Sequence, residues 1–597
     1  MQYQELRKQT NTGWNTWNTL NVLSYSHLPE GFTINLCLRE YSESRVLRES
    51  LIGRENIIPG PRTFDGSCTR MTLQFGHLTL DVRTVTDNDQ QIILLTPAAK
   101  SPYRPSVVIV EACLLWGKEG SISKKDGRIF GECAGRRFDI YTSIPPIEEH
   151  HTYSLSPYIA LPLEEPVVIS TRPCTLEEAE KLYAAALEKL DAVNNSYGSH
   201  SEAYTAMKTC LAWDTIYECE HDRVCSPVSR IWNIGFGGYV LFDWDTYFAA
   251  LMASLESREL AQLNAIAITE EVTEAGFVPN FGSAHNGKSF DRSQPPVGAF
   301  ACLEIYKKYP EPWFAEHVFP TLLGWNRWFA SHRMTEEGYL CWGSDPSEPV
   351  NGRHWELHAL HDLAGAALES GLDNSPMYDG MAYDPDRHIM LLADVGLMGL
   401  YILDCRSLAE LARITGNTEA IPELEARKAR VEAALMTLWD EEFGLFCNKD
   451  LRDGSLSHRI SPTNFYALQA DCVTETQKRR MMDEHFYNPE EFWGDWIMPT
   501  IARNDPAFPD QNYWRGRIWA PTNYLAYISM KHAGLRKECG DLARKSEELL
   551  LQEWQLHGHV HENYSGCDGM GCGVGNSDRF YHWGGLLAYI AIDNANW

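Results

Sequence analysis

The chain has no block of lysine and arginine anywhere, and its formal net charge is -29 over 597 residues. Nucleic-acid binding needs a basic footprint, so this balance argues against a polyanion partner. No run approaches the ~18 consecutive apolar residues that a bilayer-crossing helix requires, so no membrane partner is expected. The opening Met1 to Lys8 is polar and lacks the apolar core of a secretory leader. The 16 cysteines follow no framework spacing and are expected as reduced thiols of a cytoplasmic protein. Cys567 and Cys572 lie close together in a glycine-rich loop from Gly566 to Gly575, too few ligands for a metal site. Zinc-protease, Cys-x-x-Cys, Gly-x-Ser-x-Gly and dinucleotide glycine motifs are all missing. His150 with His151, and His354, His358 and His361, read as solvated faces. No metal and no cofactor is therefore expected.

What is present is a long chain with ordinary apolar and charged content, enough for two domains without metal or disulfide staples. Residues 1–173 read as a β-sandwich. Ile92–Leu95, Ser106–Val110, Arg128–Gly131, Arg137–Tyr141 and Val167–Ser170 are short strand-like runs. Asp87-Asn88-Asp89 and Lys125-Asp126-Gly127 supply turns. At Thr175-Leu176-Glu177-Glu178 a capping box opens a helix, and residues 174–199 are expected as a linker.

From residue 200 to 597 helical spacing prevails, with about a dozen candidate helices. The 386–415 segment is apolar almost all round, whereas 420–438 carries one apolar face. A buried helix covered by an amphipathic one, repeated, predicts an (α/α)6 toroid whose loops form one concave mouth. A β-hairpin is expected within 440–460, around Phe443-Gly444-Leu445-Phe446.

The chemistry concentrates at the helix ends of this second part. Trp232, Trp244, Trp342, Trp493, Trp496, Trp514, Trp519 and Trp583 sit beside Gly, Pro, Asp or Arg. Such rings can hold the C–H faces of a pyranose, and a small carbohydrate is the expected partner. Asp373, in Leu372-Asp373-Asn374-Ser375-Pro376, follows a helical run and can point into a cleft. Glu562, after His559-Val560-His561, is a carboxylate able to activate water. A helix-terminal Asx turn and an exposed loop acid are the plainer readings of these two. Asp243 and Asp245 suit a helix start, and equally suit sugar hydroxyls. Arg292-Ser293-Gln294-Pro295-Pro296, Arg515 and Arg517 offer donors beside aromatics.

Together these pieces resemble glycoside hydrolase family 63 and its trehalase-like relatives, the (α/α)6 inverting α-glycosidases. The resemblance rests on Phe242-Asp243-Trp244-Asp245-Thr246-Tyr247-Phe248, Arg292 to Pro296, Glu369-Ser370-Gly371-Leu372-Asp373, Tyr513-Trp514-Arg515-Gly516 with Trp519, and Tyr581-His582-Trp583-Gly584. It implies Asp373 as general acid and Glu562 as general base. It further implies Trp244, Asp245, Gln294, Arg292, Tyr513, Trp514, Arg515, Trp519 and Trp583 as substrate-binding residues. The implied reaction is hydrolysis of an α-linked glucoside: a disaccharide, a small oligosaccharide or a glycosylglycerate. A sugar epimerase or isomerase working through His285, His561 or His582, and a non-catalytic sugar-binding protein, remain as alternatives. The sequence is silent on oligomeric state.

Overall fold

The computed structural model describes residues 2–52, 57–98, 106–347, 355–358, 360–571 and 577–597. These divide into two compact units, Met1–Ile234 and Gly235–Trp597. His354, Cys572 and the rest of the glycine-rich loop up to residue 576 lie outside the described residues.

The first unit is built on two antiparallel sheets. One runs in the order Gly13–Asn15, Ser24–Leu28, Phe32–Glu40, Val107–Leu114, Tyr158–Pro162, with Arg45–Leu47 paired to Phe32–Glu40. The other has eight strands, in the order 120–125, 128–133, 136–142, 167–170, 90–97, 78–87, 68–75, 57–62. Phe32 of the first sheet stacks on Phe138 of the second, ring centroids 4.7 Å apart. The runs at 92–95, 107–110, 128–131, 137–141 and 167–170 all fall in strands. A helix, Gln2–Thr10, precedes them and was not anticipated.

The helix Leu176–Asn195 starts at the Thr175–Glu178 capping box, with both reciprocal hydrogen bonds made. It lies against the eight-stranded sheet, where Ala179 and Tyr183 pack with Cys68, Val85, Ile92, Leu94 and Val168. Covered on both faces, Ile92–Leu95 reads as a continuous apolar run rather than an alternating one. This helix and the next, Ser201–Asp214, both belong to the first unit.

The second unit is mainly helical. Val395–Thr415 is buried along nearly its whole length, while Ile421–Met436 buries only Leu424, Val431, Ala434 and Leu435. The predicted 386–415 helix starts late. Ile389–Met390 and Leu392–Ala393 are short strands, and the helix begins where the Asp394 side chain accepts from Leu397 N–H. The 463–484 segment is likewise divided, into a 3-10 helix Pro462–Gln469, an α-helix Glu475–Arg480 and a π turn Met481–Phe486. Thr474 and Gln477 form a second capping box there, which starts a new helix instead of extending the old one. The hairpin within 440–460 is present as Trp439–Asp440 against Leu445–Phe446. Among the described residues, no helix is long and apolar enough to cross a membrane.

Candidate active site

The residues singled out lie next to helix ends of the second unit. Trp244 and Asp245 occupy the first turn of Asp243–Ala253, with the Asp243 N–H held by the Asn280 carbonyl. Arg292 to Gln294 precede Gly298–Lys308, and Tyr513 to Trp519 precede Ala520–His532. Asp373 follows Leu363–Glu369, and Glu562 follows Arg536–His557.

Tertiary folding joins these segments directly. The Tyr513 hydroxyl donates to Glu562 Oε1 at 3.0 Å. The next residue, Trp514, donates its backbone N–H to Asn374 Oδ1 at 2.9 Å, and Asn374 Nδ2 donates to the Asn512 carbonyl at 3.2 Å. One loop thus touches Glu562 and the neighbour of Asp373 at once. The indoles form a connected group. Trp514 stacks on Trp519 at 3.6 Å, and Trp583 meets Trp244 edge-on at 5.9 Å. Tyr513 sets its ring edge-on to Trp519 at 4.8 Å. Trp583 Nε1 donates to the Glu562 carbonyl at 2.8 Å, and Trp519 Nε1 to the Tyr513 carbonyl at 2.9 Å. Gln294 Oε1 accepts from Trp244 N–H at 3.4 Å. Gly371, at φ +70°, lies so near the Trp244 ring that a Cβ there would come within 2.6 Å of it.

The electrostatics are those of carboxyl groups out of water. Glu562 is 3% exposed, whereas Asp373 keeps part of its surface open. Burial pushes Asp373 up to about 6, against the pull of Arg292. Burial also raises Glu562 well above its usual range, reinforced by Asp578. The Asp578 N–H and the Tyr513 hydroxyl, both bound to its carboxylate, pull the other way, and Asp373 adds a smaller upward push. Asp373 therefore lies near enough to Glu562 for its charge to act there. Asp245 is pushed up to about 8 by burial while accepting from the Tyr581 hydroxyl at 3.0 Å.

The cations hold the surrounding segments together. Arg292 is fully buried and donates to Asn280 Oδ1, Asp291 Oδ1 and the Glu356 carbonyl. Arg515 is committed to Asp379 and Asp510, and Arg517 to Asn563. Glu369, part of the motif around Asp373, is held by a bidentate buried pair with Arg333 at 2.7 and 2.9 Å.

Two features escaped sequence reasoning. Glu356 is a further buried carboxyl coupled to Arg292 and Asp373, pushed up to about 7 by burial. Only its place after Trp355 could have signalled it. His561 faces Glu553 rather than the aromatic group, its Nε2 3.7 Å from Glu553 Oε2.

The comparisons with known proteins bear on this same part of the chain. The family model of the mannosylglycerate hydrolase MGH1-like glycoside hydrolase domain matches residues 238–584, well over half of the sequence. Mannosyl-oligosaccharide glucosidase of Saccharomyces cerevisiae is 22% identical over 306 residues, covering 46% of this chain and 35% of that protein. Mannosylglycerate hydrolase MGH1 of Selaginella moellendorffii is 25% identical over 343 residues, covering 47% of this chain and 63% of that protein. The match thus spans less than two thirds of either relative. A crystal structure of a GH63 mannosylglycerate hydrolase from Thermus thermophilus in complex with glucose shares the fold. Its TM-score is 0.51 at 19% identity, over 65% of this chain and 99% of that one. By this match the chain belongs to the MGH1-like glycoside hydrolase domains of glycoside hydrolase family 63.

Proposed function

We propose that the helical unit is an (α/α)6 toroid carrying an inverting α-glycosidase, with Asp373 as general acid and Glu562 as general base. The observation that carries this reading is the single loop that binds both carboxyl segments, Tyr513 on Glu562 and Trp514 on Asn374 beside Asp373. A half-buried Asp373 whose charge reaches the buried Glu562 suits a reaction that uses both carboxyls. Inverting pairs stand about 6.5–9.5 Å apart to admit a water molecule.

In this mechanism the raised Asp373 carboxyl donates its proton to the glycosidic oxygen as the C1–O bond breaks. Glu562, whose ionised form is favoured against its burial by the Tyr513 hydroxyl and the Asp578 N–H, takes a proton from the water that attacks C1 from the opposite face. The sugar leaves with inverted configuration, and the two carboxyls exchange protons with solvent before the next turnover. Trp244, Trp514, Trp519 and Trp583 supply the apolar walls, and Asp245 and Gln294 supply acceptors for hydroxyl groups. The proposed substrate is a small α-linked glucoside. The relatives' names also include mannosylglycerate and a trehalase, so mannosides, trehalose and glycosylglycerates belong in the trial.

The test is a screen of α-linked disaccharides and glycosylglycerates with the first-formed anomer read by NMR. Release of the β-anomer, with Asp373→Asn and Glu562→Gln both folded and inactive, is the expected outcome. A retained anomer, or near wild-type turnover in either variant, overturns the role assignment.

A further inference from the structure

Glu553, His559 and His561 form a cluster outside the proposed catalytic pair, His559 half-buried and the other two buried, with one ligand-type atom from each lying within 4.8 Å of the others. The His-x-His spacing places both imidazoles on the same side of an extended segment, since side chains alternate along such a backbone. Glu553 reaches them from the last turns of the helix Arg536–His557. Glu553 is 0% and His561 1% exposed.

The surroundings orient two of these groups. Ser577 donates its hydroxyl to the Asn563 carbonyl at 2.6 Å, so toward His561 Nδ1, 3.3 Å away, it acts as acceptor. Nδ1 therefore carries the hydrogen, and the lone pair of Nε2 faces Glu553 Oε2 at 3.7 Å. The other oxygen of Glu553 is held by the Gly571 N–H at 2.7 Å. Gly571 also packs on the imidazole so closely that any Cβ there would overlap the ring. An imidazole whose far nitrogen is anchored by a hydrogen bond, beside a carboxylate anchored through its other oxygen, is how metal ligands are held.

We propose that Glu553, His559 and His561 bind a divalent transition metal of the zinc type. Two imidazoles and one carboxylate suit zinc, whereas calcium and magnesium take oxygen donors. Zinc bonds of about 2.0–2.1 Å imply ligand separations of about 3.4 Å in a tetrahedron, close to the Glu553–His561 spacing. The fourth position would be taken by solvent. The ion ties the helix Arg536–His557 to the segment that ends at Glu562, so its role is to hold that segment in place.

The test uses the full chain, stripped with a chelator and titrated with Zn2+ by calorimetry, with the melting temperature followed in parallel. Uptake of about one Zn2+ per chain, a higher melting temperature, and at least ~10-fold weaker binding in both His559→Ala and His561→Ala are expected. Replacement by Co2+ should give the visible absorption of a four-coordinate ion, lost in Glu553→Gln. Failure of the wild-type chain to bind Zn2+, or unchanged affinity in the folded histidine variants, overturns the proposal and means that a proton lies between His561 and Glu553. None of these readouts depends on sugar hydrolysis, so the site stands or falls apart from the catalytic assignment.

Discussion

Tyr513 and Glu562, 49 residues apart in sequence, share a 3.0 Å hydrogen bond with the phenol as donor. The bond favours the ionised carboxylate in surroundings that otherwise oppose charge. Tyr513→Phe keeps the ring against Trp519 and removes only that donor. A drop in kcat of about 5- to 150-fold is expected, from the ~1–3 kcal/mol that such a donor contributes to a buried carboxylate. Steady-state kinetics with a circular-dichroism control checks it, and an unchanged kcat would remove Tyr513 from the machinery.

Asp373 must be protonated to act as acid, and burial lifts it to about 6. The donor form is lost as pH rises through that value, so kcat/KM should fall on the alkaline side with a limb near pH 6. An aryl α-glucoside, whose leaving group needs no proton, should flatten that limb and recover much of the loss in Asp373→Asn. An equally steep alkaline limb on both substrates would show that another group sets it.

Gly371 is constrained twice, by its φ of +70° and by the Trp244 indole. Gly371→Ala should cost about 1–3 kcal/mol of stability through backbone strain and overlap together. It should also raise KM by displacing Trp244. Thermal unfolding and KM measured side by side separate the two effects.

The buried pair Arg333–Glu369 binds the helix that leads to Asp373, and Glu369 also accepts from Gly343 and Ser293 N–H. Arg333→Met leaves an uncompensated buried carboxylate and should destabilise by about 3–5 kcal/mol. Denaturant unfolding reads this directly.

Stability should also depend on pH through buried acids other than the catalytic pair. Asp404 is raised from 3.8 to about 7 and Asp394 to about 6, in both cases mainly by burial. A raised folded-state value favours the protonated form. Its contribution is complete below about pH 4 and is lost as pH climbs through 6 and 7. The melting temperature should therefore fall between pH 5 and pH 8. For Asp404 the span corresponds to on the order of 4 kcal/mol. Asp404→Asn, which stays neutral, should flatten the slope, and an identical slope in the variant would assign it elsewhere.

The capping box at Thr175, the one-faced helix 421–436 and the strand runs at 92–95 and 167–170 were all legible, because each depends on residues a few positions apart. The late start of the helix at Val395 was not. There Leu392–Ala393 pairs with Lys449–Asp450, a partner more than fifty residues away, and that pairing overrides local helical spacing. The N-terminal helix Gln2–Thr10 buries only Leu6, so it left almost no periodic signal to read.

The sequence by itself determined the residue types of the site, the helix ends that carry them and the family, because these reside in local order and spacing. Only the tertiary structure decided that Tyr513 binds Glu562, that Asn374 is clasped by Trp514, that Glu356 joins the carboxyls, and that His561 turns toward Glu553. Hydrogen bonds between distant segments and the loss of water around buried acids exist only after the chain has folded, and no pattern along the chain encodes which partners will meet.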